Sequence, residues 1–359
     1  MVGGSHASGS GVWVALGGRE FCLSDLDVYA VVRDRAAQRA AETRARADRP
    51  GLRARLLDWG LAAPLEVAFL VPADLACLPA RPATLELARY GLVIAGDPAW
   101  RDRVPRWEPV DVSREEIQLL HENRAFELLL AWPSLAARVS LARLQARHAV
   151  LKCVLDVVRV EALSRGEYPD GPRALVEWAG RSGCSALGGC GRAAFLVLLE
   201  TAVAWRAGQV GALDADGARD EWRTVVAAWV ATWQARVGPS YDDAIRGARR
   251  ARLRRRLRRA LSWPARSGLG PPLGERLRYA LCGTPQHRVN ASAALLLLAA
   301  AAEGWSGAGP PLPALAQRSL AVLGVVPAAA RADWAAAARA VVGAWDCWVL
   351  DGQRTVESS

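Results

Sequence analysis

Two acidic residues near the N terminus have the spacing of a site for phosphate chemistry. Asp25 and Asp27 are two residues apart at the start of Asp27–Val32, a segment rich in β-branched and aromatic residues that predicts a strand. Alternate side chains of a strand point to the same face, so these two carboxylates would lie close together and repel each other. A cation between them and a phosphate would remove the repulsion, and Mg²⁺ prefers carboxylate, phosphate and water oxygens. The pair therefore predicts a site for Mg²⁺, with Mn²⁺ as an alternative.

A glycine-rich segment precedes the acidic pair, and a third acid follows it. Gly4 and Ser5 belong to the run Gly3–Gly9, whose backbone N–H groups and serine hydroxyl could hold a phosphate. Glu66 lies in the next predicted strand, Leu65–Val71, where a carboxylate between apolar neighbours needs a partner. If the two strands are neighbours, three carboxylates converge, which is typical of two-metal phosphoryl transfer.

The elements that must position these residues divide the chain in two. A helix-favouring segment, Arg33–Leu57, separates the two strands, and a third short strand is predicted at Gly91–Ala95. The pattern favours an α+β fold, with a small N-terminal mixed α/β domain at 1–108. Beyond it we expect a larger all-α domain at 109–359, with a subdivision near residue 265 as an option. The predicted helices span about 113–131, 139–164, 172–180, 191–207, 218–236, 241–262, 272–282, 289–303, 312–323 and 327–350.

At these positions the chain resembles the nucleotidyltransferase superfamily that includes DNA polymerase beta, kanamycin nucleotidyltransferase and small bacterial antitoxin-type nucleotidyltransferases. The family pattern is a Gly-Ser turn, then Asp-x-Asp or Asp-x-Glu, then a further acid on a later strand. Here Gly4-Ser5, Asp25-Leu26-Asp27 and Glu66 match it, and Tyr90–Pro98 is similar to a segment ending in Gly-Asp-Pro that is common in these domains. The similarity covers residues 3 to about 98.

The resemblance implies an enzyme that moves a nucleoside monophosphate from an NTP, such as ATP, to a hydroxyl acceptor and releases pyrophosphate. Asp25 and Asp27 would hold two Mg²⁺ ions. Glu66 would bind the metal on the acceptor side and help to deprotonate the acceptor hydroxyl.

The resemblance also implies residues for nucleotide binding. Ser5 and the backbone around Gly4 would hold the β- and γ-phosphates, and Lys152, the only lysine of the chain, would reach the triphosphate from a helix. The acceptor stays open between a small molecule such as an aminoglycoside, a protein side chain and an RNA 3′ end, because the motif determines only the phosphoryl chemistry.

A second hypothesis is a catalytically degenerate nucleotidyltransferase fold that binds a protein or nucleic acid. Only Met1 and Val2 precede Gly3, where the family has a full strand. A strand needs about five residues. Two explanations stay open: the start of the gene lies upstream, or the domain is degenerate.

The positive charge of the chain is concentrated in one segment. The net charge is +10, and Arg246–Arg259 contains nine arginines and no acid. Phosphates of a nucleic acid are one partner that would compensate such a charge. The alternative is a helix with a solvated arginine face and a narrow buried edge formed by Leu253, Leu257 and Leu261.

The remaining composition bears on location. The longest apolar run, Ala293–Ala302, is far short of the roughly 20 residues that span a bilayer. No secretory signal is apparent at the N terminus, and the seven cysteines are dispersed without a CxxC pair. We therefore expect a cytoplasmic protein that does not enter a membrane.

Overall fold

A computed structural model describes residues 1–63, 65–136, 138, 140–209, 214–237, 285–302, 312, 314–331 and 333–345. In these residues the protein is mixed α+β: a small N-terminal β region is followed by helices, as expected. The predicted nucleic-acid segment Arg246–Arg259 and the predicted helices at 241–262 and 272–282 lie outside the described residues.

Four strands form two separate pairs. The parallel pair consists of β3 (Leu26–Val31) and β4 (Leu65–Leu70), which match the two strands that the sequence predicts. The helix that connects them, α2, runs from Arg35 to Asp58. An antiparallel hairpin of β1 (Trp13–Leu16) and β2 (Arg19–Cys22) precedes them, and it was not predicted.

The third predicted strand, Gly91–Ala95, is wrong. Leu92 forms only an isolated bridge with Val2, through two backbone hydrogen bonds of 2.8 and 3.0 Å. The backbone turns at Gly4, whose φ is +62°, so the pairing of Val2 with Leu92 does not extend further along the chain. Three short helices of the N-terminal region were also not predicted: α1 (Gly4–Ala7), α3 (Pro72–Ala76) and α4 (Pro82–Tyr90).

The helices beyond residue 108 follow the predicted positions closely in the described ranges. They are α5 (Arg114–Leu135), α6 (Leu141–Ser164), α7 (Gly171–Ser182), α8 (Ala186–Cys190), α9 (Arg192–Arg206), α10 (Ala215–Val237), α11 (Pro285–Ala302), α12 (Ala314–Leu323) and α13 (Trp334–Trp345). The break expected at Pro133 does not end α5, which continues to Leu135. Two further differences are α8, which was not predicted, and the late start of α13, after a 3₁₀ turn at Ala328–Ala330.

Tryptophans of α10 hold the centre of the helical region. Trp222 and Trp229 are fully buried, and their indole N–H groups donate to the backbone oxygens of Leu128 and His121 on α5, at 2.7 and 2.9 Å. Buried indole N–H groups need such acceptors. These bonds fix α10 against α5 in addition to the apolar contacts.

The N-terminal region packs directly on the helices. Val12 and Leu23 belong to the same buried apolar cluster as α5 and α6, and Gln145 of α6 donates to the backbone oxygen of Ala62 at 2.7 Å. The start of β3 therefore lies beside α6. The domain boundary at residue 108 stays a prediction. Among the described residues, we find no helix with the length and apolarity required to cross a membrane.

Candidate active site

Two of the three predicted carboxylates lie side by side on the parallel strand pair. Asp27 of β3 and Glu66 of β4 are register partners, and neighbouring strands are about 5 Å apart. Asp25 directly precedes β3, two residues before Asp27. Burial, followed by repulsion from Asp25, raises the pKa of Asp27. Burial and then repulsion from Asp27 and Asp25 raise the pKa of Glu66, so the site carries negative charge that its surroundings do not fully compensate.

The glycine-rich segment contacts Asp27, one member of this carboxylate pair. The backbone N–H of Gly3 donates to the backbone oxygen of Asp27 at 2.9 Å. Gly4 has a φ of +62°, and a Cβ atom there would lie 2.5 Å from Oδ2 of Asp27, so both its backbone conformation and the close approach require glycine. The Ser5 hydroxyl makes no hydrogen bond to any described residue.

Lys152 reaches the site from α6. Its Nζ lies 2.6 Å from Oδ2 of Asp25 and 3.6 Å from Oε1 of Glu127, which is on α5. Burial would raise the pKa of Asp25, but the charge and the hydrogen bond of Lys152 outweigh burial and lower it. Burial and Arg124 would lower the pKa of Lys152, but Glu127 and Asp25 outweigh them and raise it. Lysine and aspartate are therefore both charged.

A network of ion pairs between α5 and α6 supports this lysine. Arg124 of α5 forms ion pairs with Glu127 and with Asp156 of α6, where Nε and Oδ2 are 2.7 Å apart. Asp156 also forms an ion pair with Arg159, whose Nη2 lies 3.7 Å from Oε1 of Glu86 on α4. The network thus connects both helices with the N-terminal region.

Arg206, at the end of α9, is a candidate that sequence reasoning missed. Its Nη1 donates to the backbone oxygen of Ser10 at 3.2 Å and to the Ser10 hydroxyl at 3.4 Å. It forms no ion pair with any carboxylate in the described ranges. Burial, followed by repulsion from Arg159, lowers its pKa. A guanidinium without an acidic partner, beside the glycine-rich turn, is suited to binding an anion.

His148 is a neutral side chain whose pKa is affected by both Arg206 and Lys152. Burial first, and then Arg206 and Lys152, lower its pKa to about 3, so the ring is neutral. The indole N–H of Trp205 donates to Nδ1 of His148 at 3.2 Å. The proton of the neutral ring is therefore on Nε2.

The three carboxylates are of the right chemical type to bind a divalent cation, but they are not arranged as a metal site. Asp25, Asp27 and Glu66 supply carboxylate oxygens, the ligands that Mg²⁺ prefers, and the raised pKa values of two of them show that a cation would be stabilising. Yet among the described residues, no group of three or more His, Cys, Asp and Glu side chains is arranged to hold a metal ion. One oxygen of Asp25 is engaged by Lys152.

Comparison of the chain with protein-family models, with curated proteins and with solved structures finds no match.

Proposed function

We propose that the protein is a metal-dependent nucleotidyltransferase, which moves a nucleoside monophosphate from an NTP to a hydroxyl acceptor and releases pyrophosphate. One observation carries this proposal. The register of β3 and β4 pairs Asp27, two residues after Asp25, with Glu66, and Gly4 approaches the Asp27 carboxylate closely. Converging acids beside a glycine-rich segment are typical of phosphoryl transfer.

In the proposed mechanism, Asp25, Asp27 and Glu66 would hold two Mg²⁺ ions, or Mn²⁺ in their place. Bound metal would supply positive charge that offsets the charge of the phosphates during transfer. The acceptor oxygen forms a bond to the α-phosphorus while the bond from that phosphorus to the pyrophosphate oxygen breaks. The acceptor proton moves to the carboxylate of Glu66 and from there to solvent.

The proposed phosphate contacts are one hydroxyl group, one backbone N–H group and two cationic side chains. The Ser5 hydroxyl and the Gly4 backbone N–H would donate to the β- and γ-phosphates. Lys152 and Arg206 would supply two positive charges from α6 and α9. The acceptor stays open between a small molecule, a protein side chain and an RNA end.

The first test is ligand binding, which needs no knowledge of the acceptor. Mg²⁺ with a non-hydrolysable ATP analogue at 100 times its Kd should stabilise the fold by about 2.7 kcal/mol. This corresponds to roughly 4 °C in melting temperature for a chain of this size. The double variant Asp25→Asn, Asp27→Asn should lose this shift. The matched control is Asp216→Asn with Asp220→Asn, which removes two exposed acids from α10 and should keep it.

The second test is transfer itself. The protein is incubated with Mg²⁺ and each NTP labelled at the α-phosphate, together with aminoglycosides, bulk RNA or protein acceptors. Label should appear on one acceptor class, with release of pyrophosphate, and the Asp25→Asn, Asp27→Asn variant should leave the label on the nucleotide. If Mg²⁺ with the ATP analogue still raises the melting temperature of this variant in the first test, the proposed site is rejected.

A catalytically degenerate binding protein is the second candidate, and the contact between Lys152 and Asp25 favours it. A lysine at an acid that should ligate metal, with no metal arrangement among the described acids, is what a fold without catalysis would contain. Such a protein would bind nucleotide equally well in Mg²⁺ and in EDTA. Equilibrium dialysis under both conditions distinguishes the two functions.

Nucleic acid is a proposed partner through Arg246–Arg259, on the basis of its nine arginines without an acid. Affinity for RNA should then fall with salt, with a log–log slope on the order of −0.7 for each phosphate neutralised. Substituting Gln at Arg254, Arg255, Arg258 and Arg259 should flatten the slope by about two units or more. A cytoplasmic location is proposed as well, since the described cysteines are free thiols.

A further inference from the structure

Lys152 has two carboxylate partners at unequal distances. Its Nζ is 2.6 Å from Asp25 and 3.6 Å from Glu127. The side chains are partly accessible, with exposed fractions of 20% for Lys152, 35% for Asp25 and 26% for Glu127. The ammonium can therefore exchange between the two acids by a movement of about one ångström.

The shorter contact competes with a divalent cation. Mg²⁺ needs carboxylate oxygens at about 2.0–2.1 Å, and an ammonium already bound to Oδ2 of Asp25 repels a second cation at the same carboxylate. Asp27 and Glu66 have no such cation of their own, because no ion pair involves them among the described residues. A metal ion that uses all three acids together can therefore bind only when Lys152 leaves Asp25.

The longer contact is a prepared alternative position for the lysine. Glu127 is held by the ion pair with Arg124, which is itself anchored on Asp156 of α6 with Nε and Oδ2 2.7 Å apart. Glu127 therefore stays in place whether or not Lys152 contacts it. A lysine that leaves Asp25 keeps a carboxylate partner, so its release does not leave a buried, unpaired charge.

We propose that Lys152 neutralises Asp25 in the ligand-free protein and moves to Glu127 when a divalent cation enters. The inference rests on the proposed function, since it concerns the metal of that site. It gives a role to the contact between Lys152 and Asp25 at a site where the strand register pairs Asp27 with Glu66. It assigns Glu127, which nothing in the sequence singled out, as a positioning residue that sets how readily metal binds.

The test is Mn²⁺ binding to the full-length protein without nucleotide, measured from the electron paramagnetic resonance signal of free Mn²⁺. Lys152→Met should bind Mn²⁺ at least tenfold more tightly than wild type, because the competing ammonium is absent. Glu127→Gln should bind it severalfold more weakly, because the lysine then has Asp25 as its remaining carboxylate. The matched control, Arg223→Met, removes a positive charge from an exposed ion pair with Asp220 and should change nothing.

The proposal is supported if Lys152→Met strengthens Mn²⁺ binding and Glu127→Gln weakens it. It is overturned if either variant binds Mn²⁺ as wild type does, or if both change the affinity equally. If Lys152→Met does not fold, Glu127→Gln decides alone: affinity equal to or above wild type overturns the proposal. The fate of the proposed function is separate. Transfer activity without these Mn²⁺ differences rejects the lysine exchange alone, and the Mn²⁺ differences without transfer reject nucleotidyl transfer alone.

Discussion

Two neighbouring acids of the site should respond in opposite directions to the same substitution. Asp27 faces Glu66 across the strand pair without a cation of its own, whereas Asp25 is bound to Lys152. Asp27→Asn removes a repulsion, so it should raise the melting temperature of the metal-free protein. Asp25→Asn breaks an ion pair, so it should lower the melting temperature.

The magnitudes follow from the register and from the exposure of the groups. Two charges about 5 Å apart on adjacent strands repel by about 3 kcal/mol at an effective dielectric constant of about 20, which is an upper bound. Asp27→Asn should therefore stabilise by about 1–3 kcal/mol, or roughly 1–4 °C. The pair of Lys152 and Asp25 is partly exposed and lies between surface and buried pairs, so its loss costs about 1–2 kcal/mol, or roughly 1–3 °C.

The assay is calorimetry of both single variants at pH 7 in EDTA, with circular dichroism to verify the helix content. EDTA matters because bound metal would reverse the sign at Asp27. If the melting temperatures of Asp25→Asn and Asp27→Asn shift in the same direction, the reasoning is refuted. That reasoning is that Lys152 stabilises Asp25 and that Glu66 repels Asp27.

Three further perturbations test other parts of the site. The pKa of Glu66 is raised in the folded protein, so the unfolded chain, with a pKa near 4.5, loses this proton at a lower pH. The free energy of unfolding therefore falls as pH rises above 4.5. Glu66→Gln should gain stability over wild type in thermal melts between about pH 4 and 7. Gly4→Ala places a methyl group 2.5 Å from Oδ2 of Asp27 at positive φ, and should cost more than about 1 kcal/mol in urea unfolding and weaken nucleotide binding. Arg206→Gln should weaken nucleotide binding by roughly 10- to 100-fold in calorimetric titration, the worth of a charged hydrogen bond, while Arg192→Gln on the same helix leaves it unchanged.

Local sequence signals were sufficient for the strand pair but not for its neighbours. The strands that carry Asp27 and Glu66 were predicted from their residue types, and their pairing was left as a condition; the structure pairs them in parallel. The β1–β2 hairpin was missed although its turn is Gly17-Gly18, with both residues at positive φ; its strands are only four residues long. A turn signal counts for little when the strands beside it are too short to show alternation.

The cationic half of the site could not have been predicted from spacing. Lys152 follows Asp25 by 127 residues, and Arg206 follows Ser10 by 196 residues. Contacts over such separations depend on how α6 and α9 pack against the strands, which apolar periodicity does not specify. The scarcity of lysine was a sequence signal for Lys152; Arg206 has no comparable signal in an arginine-rich chain.

The spacing of polar residues on α6 restricts how this helix can change length. His148, Lys152, Asp156 and Arg159 recur at intervals of four, four and three residues, so all four lie on one helix face. One inserted residue between the first two would rotate everything beyond it by about 100°. The lysine and both members of the Asp156–Arg159 pair would then leave the site together. Substitutions can alter these contacts one at a time, but a single-residue insertion or deletion between His148 and Lys152 would displace the last three residues together.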